Sequence, residues 1–139
     1  MIPIEDLLRF VREDAPWGGD VTSEAVVPPD VACRAVIRAK DTGTVAGIEE
    51  ARALFEHFGI EVRQRIPDGR SVAPGAVLLE LEGRARPILL LERTALNIIG
   101  RMSGIATRTR EAVEAVRAVS PDIRVAATRK TAPGTPDAR

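Results

Sequence analysis

Residues 4–14, IEDLLRFVRED, place Ile4, Leu7, Leu8 and Val11 at helical spacing and predict a short amphipathic helix. The Pro- and Gly-rich stretch 15–30 predicts a loop, in which Asp20-Val21-Thr22-Ser23 has the composition of a helix cap or a ligand-facing turn. ACRAVIRAKD (32–41) then alternates. Cys33, Ala35, Ile37 and Ala39 fall on one side and Arg34, Val36, Arg38 and Lys40 on the other, the pattern of a half-exposed strand. TGTVAG (42–47) turns into a helix, IEEARALFEHFG, closed by Gly59. IEVRQRI (60–66) alternates again, PDGRSVAPG (67–75) is a turn-rich link, and AVLLELEG (76–83) predicts a strand with an apolar face.

From Arg86 the period lengthens. Ile88, Leu91, Ala95, Ile98, Met102 and Ile105 mark one stripe, and Leu89, Leu90, Leu96 and Ile99 widen it. A helix apolar on nearly all sides is expected to be buried. Its polar exceptions, Arg93, Asn97 and Arg101, are spaced i, i+4, i+8 and share one face. Ser103-Gly104 predicts a kink or break. TRTREAVEAVRAV (107–119) then continues as an amphipathic helix with Ala112, Val113, Val116 and Val119 inward. Pro121 ends it, and DIRVAATRK (122–130) reads as a strand. The order describes an α+β unit of roughly 85 residues whose helical connector delivers the chain to the first strand of a second unit.

Composition narrows the classes. The 139 residues are about one domain in length, and 45% hydrophobic content suffices for a core. Aromatics are 3%, so aliphatic side chains must fill it. No run of about 18 apolar residues occurs, the N-terminus lacks the pattern of a signal peptide, and Cys33 is the single cysteine. These features favour a cytoplasmic protein. A net charge of zero argues against a general nucleic-acid binder. The charge is uneven, however. Residues 1–30 hold seven acids against Arg9 and Arg12, while residues 101–139 hold seven Arg and Lys130 against four acids. The C-terminal part is therefore the better place for an anion.

Arg129 and Lys130 are the sharpest candidates. At a strand end the pleat relaxes, so both can converge on one ligand, Arg as a planar fork and Lys as a compact charge. Thr128 and Thr131 add hydroxyls. Two solvated cations at a strand end fit the local pattern equally well. For Arg93, an internal ion pair with Glu92 or with an acid from another chain fits better than a ligand on this pattern alone. His57 reads as a packing or solvated histidine, Cys33 as core, and Met102 as core filler. TGTVAG lacks the third glycine of a dinucleotide fingerprint. No metal-ligand spacing occurs.

Four segments in order, GDVTSEAV (19–26), GTVAGIEEA (43–51), LERTALNIIGRMSGIATRTR (91–110) and ATRKTAPG (127–134), together resemble the quinolinate phosphoribosyltransferase family over about residues 5–134. The resemblance implies a hammerhead-like open α/β-sandwich (1–107, including the long helix), followed by the first elements of a truncated α/β barrel (108–139). It implies quinolinate and phosphoribosyl diphosphate as substrates and nicotinate mononucleotide, diphosphate and carbon dioxide as products, in NAD biosynthesis. Mg²⁺ would accompany the diphosphate, its ligands lying outside this chain. Carried over by motif, Thr128, Arg129 and Lys130 bind substrate, with Lys130 also catalytic. Arg93 reaches the neighbouring subunit's site in a homodimer or larger homo-oligomer. No nucleic-acid or membrane partner is implied.

Two departures stand out. Ala127 occupies a position that is commonly acidic or glycine in the family, and TPDAR follows Gly134 where the family continues into a barrel. The expectation is a fragment or shortened product with no activity as the 139-residue chain. The alternatives are a phosphoribosyltransferase-like protein associated with molybdate transport and a non-catalytic biotinyl- or lipoyl-like module carrying Lys40.

Overall fold

A computed structural model describes residues 1–15 and 18–128; Arg129, Lys130 and Thr131 lie outside the described residues. In chain order the elements are α1 (Ile4–Asp14), α2 (Val21–Val26), β1 (Ala32–Arg38), β2 (Gly43–Thr44), α3 (Ile48–His57), β3 (Glu61–Gln64), β4 (Ser71–Val72), β5 (Val77–Arg84) and α4 (Ala85–Val119).

β5 is the central strand. It pairs antiparallel with β1 on one side and with β3 on the other, while β2 and β4 form a separate short pair. The register sets Ile37 opposite Leu79 and Ala35 opposite Leu81, so the apolar halves of both strands share one face. Helices α3 and α4 cover that face, and α1 packs against those two helices. Phe55, Leu7, Ile48, Leu54, Leu79 and Leu91 are the largest fully buried side chains. Each stabilises the fold by roughly 1.5–3 kcal/mol relative to exposure. The opposite sheet face carries charge pairs: Arg34 meets Glu82 at 3.0 Å, and Arg65 meets Glu80 at 2.6 Å. Both pairs are exposed and add little stability.

The loop expected at 15–30 contains a helix. Asp20 caps α2, accepting from the Thr22 N–H at 3.1 Å and from the Ser23 hydroxyl. Arg86 closes the other end, donating from Nε to the Val27 carbonyl at 2.7 Å and from Nη2 to the Glu24 carbonyl at 2.9 Å. Six residues are too few to form a stable helix alone, and these two caps satisfy some of the groups its ends leave unpaired. The Ser23 hydroxyl, with the backbone amides of Ser23 and Thr22, holds the Asp20 carboxyl below its ordinary value. A group depressed in the folded state stabilises above its unfolded pKa, and that stabilisation disappears as pH falls through the folded value. The urea midpoint of the wild-type chain should therefore exceed that of Asp20→Asn at pH 7, and the gap should close well below pH 4. A gap that persists or widens on acidification would contradict this assignment.

α4 departs from expectation in three ways. It runs unbroken through Ser103-Gly104 for 35 residues. A helical glycine costs about 1 kcal/mol, which the hydroxyl contacts described below offset. It is not buried on all sides: Leu89 is 40%, Leu96 43% and Ile105 60% exposed, because only one of its faces has a covering layer among the described residues. Farther along, Val113 and Val116 are half-buried, whereas Ala112 and Val119 are exposed rather than inward. The strand expected from residue 122 is also absent as far as Thr128: a turn at 121–122 leads into residues without regular structure. A strand needs a ladder partner, and none is offered to this segment among the described residues.

Candidate functional site

The polar face of α4 carries Arg93, the site residue implied by the resemblance that lies within the long helix. Buried Thr94, Ala95, Ile98 and Ile99 turn the other way, and their packing forces Arg93, Asn97 and Arg101 outward together. The sequence pattern implied a buried Arg93, and the structure corrects this. Its side chain is 76% exposed, and its Nε lies 3.7 Å from Asp14 Oδ1 at the end of α1. At that distance the contact is an ion pair without a hydrogen bond. The sequence had offered Glu92 or an acid of another chain; the fold supplies Asp14.

Two hollows flank this pair. One, of about 400 Å³, is lined by Glu13, Asp14, Thr94, Asn97 and Arg101 among others. The second, of about 350 Å³, runs between Asp14, Asp20, Thr22, Leu89 and Arg93. Asp14 borders both. Arg93 thus stands beside the capped start of α2, which makes the GDVTSEAV segment a wall of the second hollow as well as a capping motif.

A larger cavity, about 650 Å³, opens on another flank of α4 beside Lys40, Thr42, Leu96, Gly100 and Ser103. At its edge the Ser103 hydroxyl accepts from the Ala46 N–H at 3.0 Å and donates to the Ala46 carbonyl at 3.1 Å. The Thr107 hydroxyl accepts from the Thr44 N–H at 2.8 Å. A Cβ at residue 43 would meet that hydroxyl at 2.9 Å, so glycine is needed there. Gly47, with φ +88°, has a backbone that side chains disfavour and caps α3. The segments 43–51 and 91–110 are thus the two halves of one latch that fixes α4 on the small β2–β4 pair. Sequence reasoning missed this role. The available signal was two hydroxyls, Ser103 and Thr107, one helical turn apart.

Of the other candidates, Thr128 lies in the exposed segment after α4, and Arg129 and Lys130 follow it outside the described residues. Arg93 and Thr128 are not brought together. From Arg93 to Val119 the helix advances about 39 Å at 1.5 Å per residue. The nine residues from Val119 to Thr128 span at most about 32 Å fully extended. Within one chain, Thr128 therefore cannot come level with Arg93. Cys33 is half-buried and free, and His57 packs edge-on against Phe58 with ring centroids 5.6 Å apart. Among the described residues no group of three or more His, Cys, Asp or Glu is placed to hold a metal ion. No described helix is long and apolar enough to cross a membrane.

A family model described as the N-terminal domain of quinolinate phosphoribosyl transferase matches residues 20–103, which include α2, Arg93 and the Ser103 half of the latch. The chain belongs to the quinolinate phosphoribosyltransferase family. It is 44% identical over 115 residues to a probable carboxylating nicotinate-nucleotide pyrophosphorylase of Methanocaldococcus jannaschii, covering 83% of this chain and 40% of that one. A nicotinate-nucleotide pyrophosphorylase of Mycobacterium leprae is 38% identical over 134 residues, covering 94% of this chain and 46% of that one. Among solved structures, NadC from Streptococcus pyogenes superimposes with a TM-score of 0.83 at 30% identity, over 96% of this chain and 49% of that one. The chain spans less than half the length of these quinolinate phosphoribosyltransferase relatives. The fold is the expected α+β arrangement of that family's open α/β-sandwich, with no closed barrel among the described residues. The molybdate-associated and carrier alternatives receive no support from these relatives.

Proposed function

We propose that this chain serves the quinolinate phosphoribosyltransferase reaction. The ring nitrogen of quinolinate attacks C1 of phosphoribosyl diphosphate, and the C1–O bond breaks with its electron pair leaving on diphosphate. The carboxylate next to the ring nitrogen then departs as carbon dioxide. The electron pair left on the ring carbon takes a proton, giving nicotinate mononucleotide. Both substrates are polyanions, so fixed cations supply much of the required positioning and charge stabilisation. Arg93, Thr128, Arg129 and Lys130 are assigned to the quinolinate carboxylates, with Lys130 closest to the chemistry. Mg²⁺ is expected to accompany the diphosphate, and no described residue is assigned to it.

The observation that carries this reading is the placement of Arg93. An arginine within the matched family segment stands exposed and lines the second hollow, at a level its own chain's Thr128 cannot reach. Such an arginine serves a second copy, which supports a homodimer as the working unit. Exposed Leu89 and Leu96 on the same helix supply apolar surface for that contact. The domain division at residues 107 and 108 also belongs to the proposal. It is supported by the position of Thr107 in the latch and by the exposure of most of α4 beyond it.

The test is a hybrid joining residues 1–134 to the remaining length of the Methanocaldococcus jannaschii relative. The hybrid is expected to form nicotinate mononucleotide from quinolinate and phosphoribosyl diphosphate. A folded hybrid that forms none above a no-enzyme control would contradict the reading.

A further inference from the structure

We propose that Asp14 is a positioning residue for Arg93. Its carboxylate engages the guanidinium from the Nε side before substrate arrives and leaves the terminal nitrogens for a carboxylate. This rests on the reading of Arg93 as a quinolinate ligand.

Three acids line the two hollows beside Arg93: Glu13, Asp14 and Asp20. Glu13 pairs with Arg9 at 3.7 Å, one turn back on α1. Asp20 is engaged by Thr22 and Ser23 in capping α2. Asp14 is the acid that meets Arg93. It is the last residue of α1, where the helix's partial negative charge disfavours a carboxylate unless a cation compensates it. It is also the more sheltered partner, 31% exposed against 76% for Arg93, so the acid is the fixed member and the arginine the guided one. The approach is through Nε, and neither terminal nitrogen of Arg93 makes a hydrogen bond to a described residue. A carboxylate binds an arginine best through two parallel N–H bonds, and a fork restrained in advance loses less freedom on binding.

The test uses the 139-residue chain, with quinolinate as the probe and the ¹⁵Nε–¹Hε signal of Arg93 as the reporter. In Asp14→Asn the Arg93 Nε–H should exchange with water faster and quinolinate should bind roughly two- to fivefold more weakly, the range expected for losing an exposed ion pair. Asp14→Glu should recover part of both effects. The melting temperature should stay within roughly 3 °C in both variants, which separates positioning from a general structural role.

Unchanged exchange in Asp14→Asn would overturn the inference. Tighter quinolinate binding would do the same, showing that Asp14 competes with the ligand for Arg93. If Arg93→Ala weakens quinolinate binding but Asp14→Asn does not, the positioning role fails while the ligand reading stands. If Arg93→Ala binds quinolinate like wild type, or the wild-type chain shows no quinolinate-dependent change at Arg93, the ligand reading fails and takes this inference with it.

Discussion

Arg93→Ala in the hybrid enzyme is expected to lower kcat/KM for quinolinate by roughly tenfold to a hundredfold or more. A charge-assisted hydrogen bond is worth about 1.5–3 kcal/mol, and each 1.4 kcal/mol is a factor of ten. Little stability should be lost with it. Arg93 is 76% exposed and its ion pair with Asp14 is long, so its removal opens no cavity. Steady-state kinetics with a parallel thermal melt checks both halves. A variant with unchanged kcat/KM would make the Arg93–Asp14 pair purely structural. One that loses activity only because it unfolds would remove Arg93 from the binding assignment.

Phe55→Ala should have the opposite signature, a large loss of stability. Phe55 is 1% exposed in the core that α3 shares with α4 and β5. Truncating a buried phenylalanine costs about 3–5 kcal/mol, a large share of the 5–15 kcal/mol that holds a typical domain together. The melting temperature should fall by roughly 10 °C or more. Val36→Ala is the matched control. Val36 is 47% exposed on the outer sheet face, and its truncation should shift the melt only slightly. A small shift for Phe55→Ala, comparable to that of the control, would mean that α3 does not anchor the core.

Where the sequence carried a strong local period, it was legible. The α1 boundaries, the inward side of β1 and the closure of α3 near Gly59 follow from side-chain spacing and one glycine. The misses have three physical causes. α2 is too short for a period to register, and its signal is the cap Asp20 with Ser23 three residues on. The continuity of α4 was hidden because Gly104 argues locally for a break. The contacts that compensate it come from residues 44–46, far away in sequence. The exposure of Leu89 and Leu96 depends on what lies over the helix, which composition does not encode.

The site was partly legible in the same way. The i, i+4, i+8 spacing put Arg93, Asn97 and Arg101 on one face, and the structure keeps them there. The partner of Arg93 could not be read, because α1 and α4 meet only in the folded chain. Thr128 was expected at the end of a strand, yet its segment has no regular structure up to that residue. Arg129 and Lys130 fall beyond the described residues, so their role stands on the motif.

The central claim, that Arg93 serves a neighbouring copy while Arg129 serves its own, is tested most directly by mixing two inactive hybrids. Arg93→Ala and Arg129→Ala enzymes are combined under conditions where wild-type subunits demonstrably exchange. A mixed dimer then holds one site carrying both substitutions and one site carrying neither. With random exchange, roughly a quarter of wild-type activity should return, since half the dimers are mixed and each has one intact site. If the two arginines act within one chain's site, every site in the mixture keeps one defect. Activity would then stay at the level of the separate mutants, which would contradict the account.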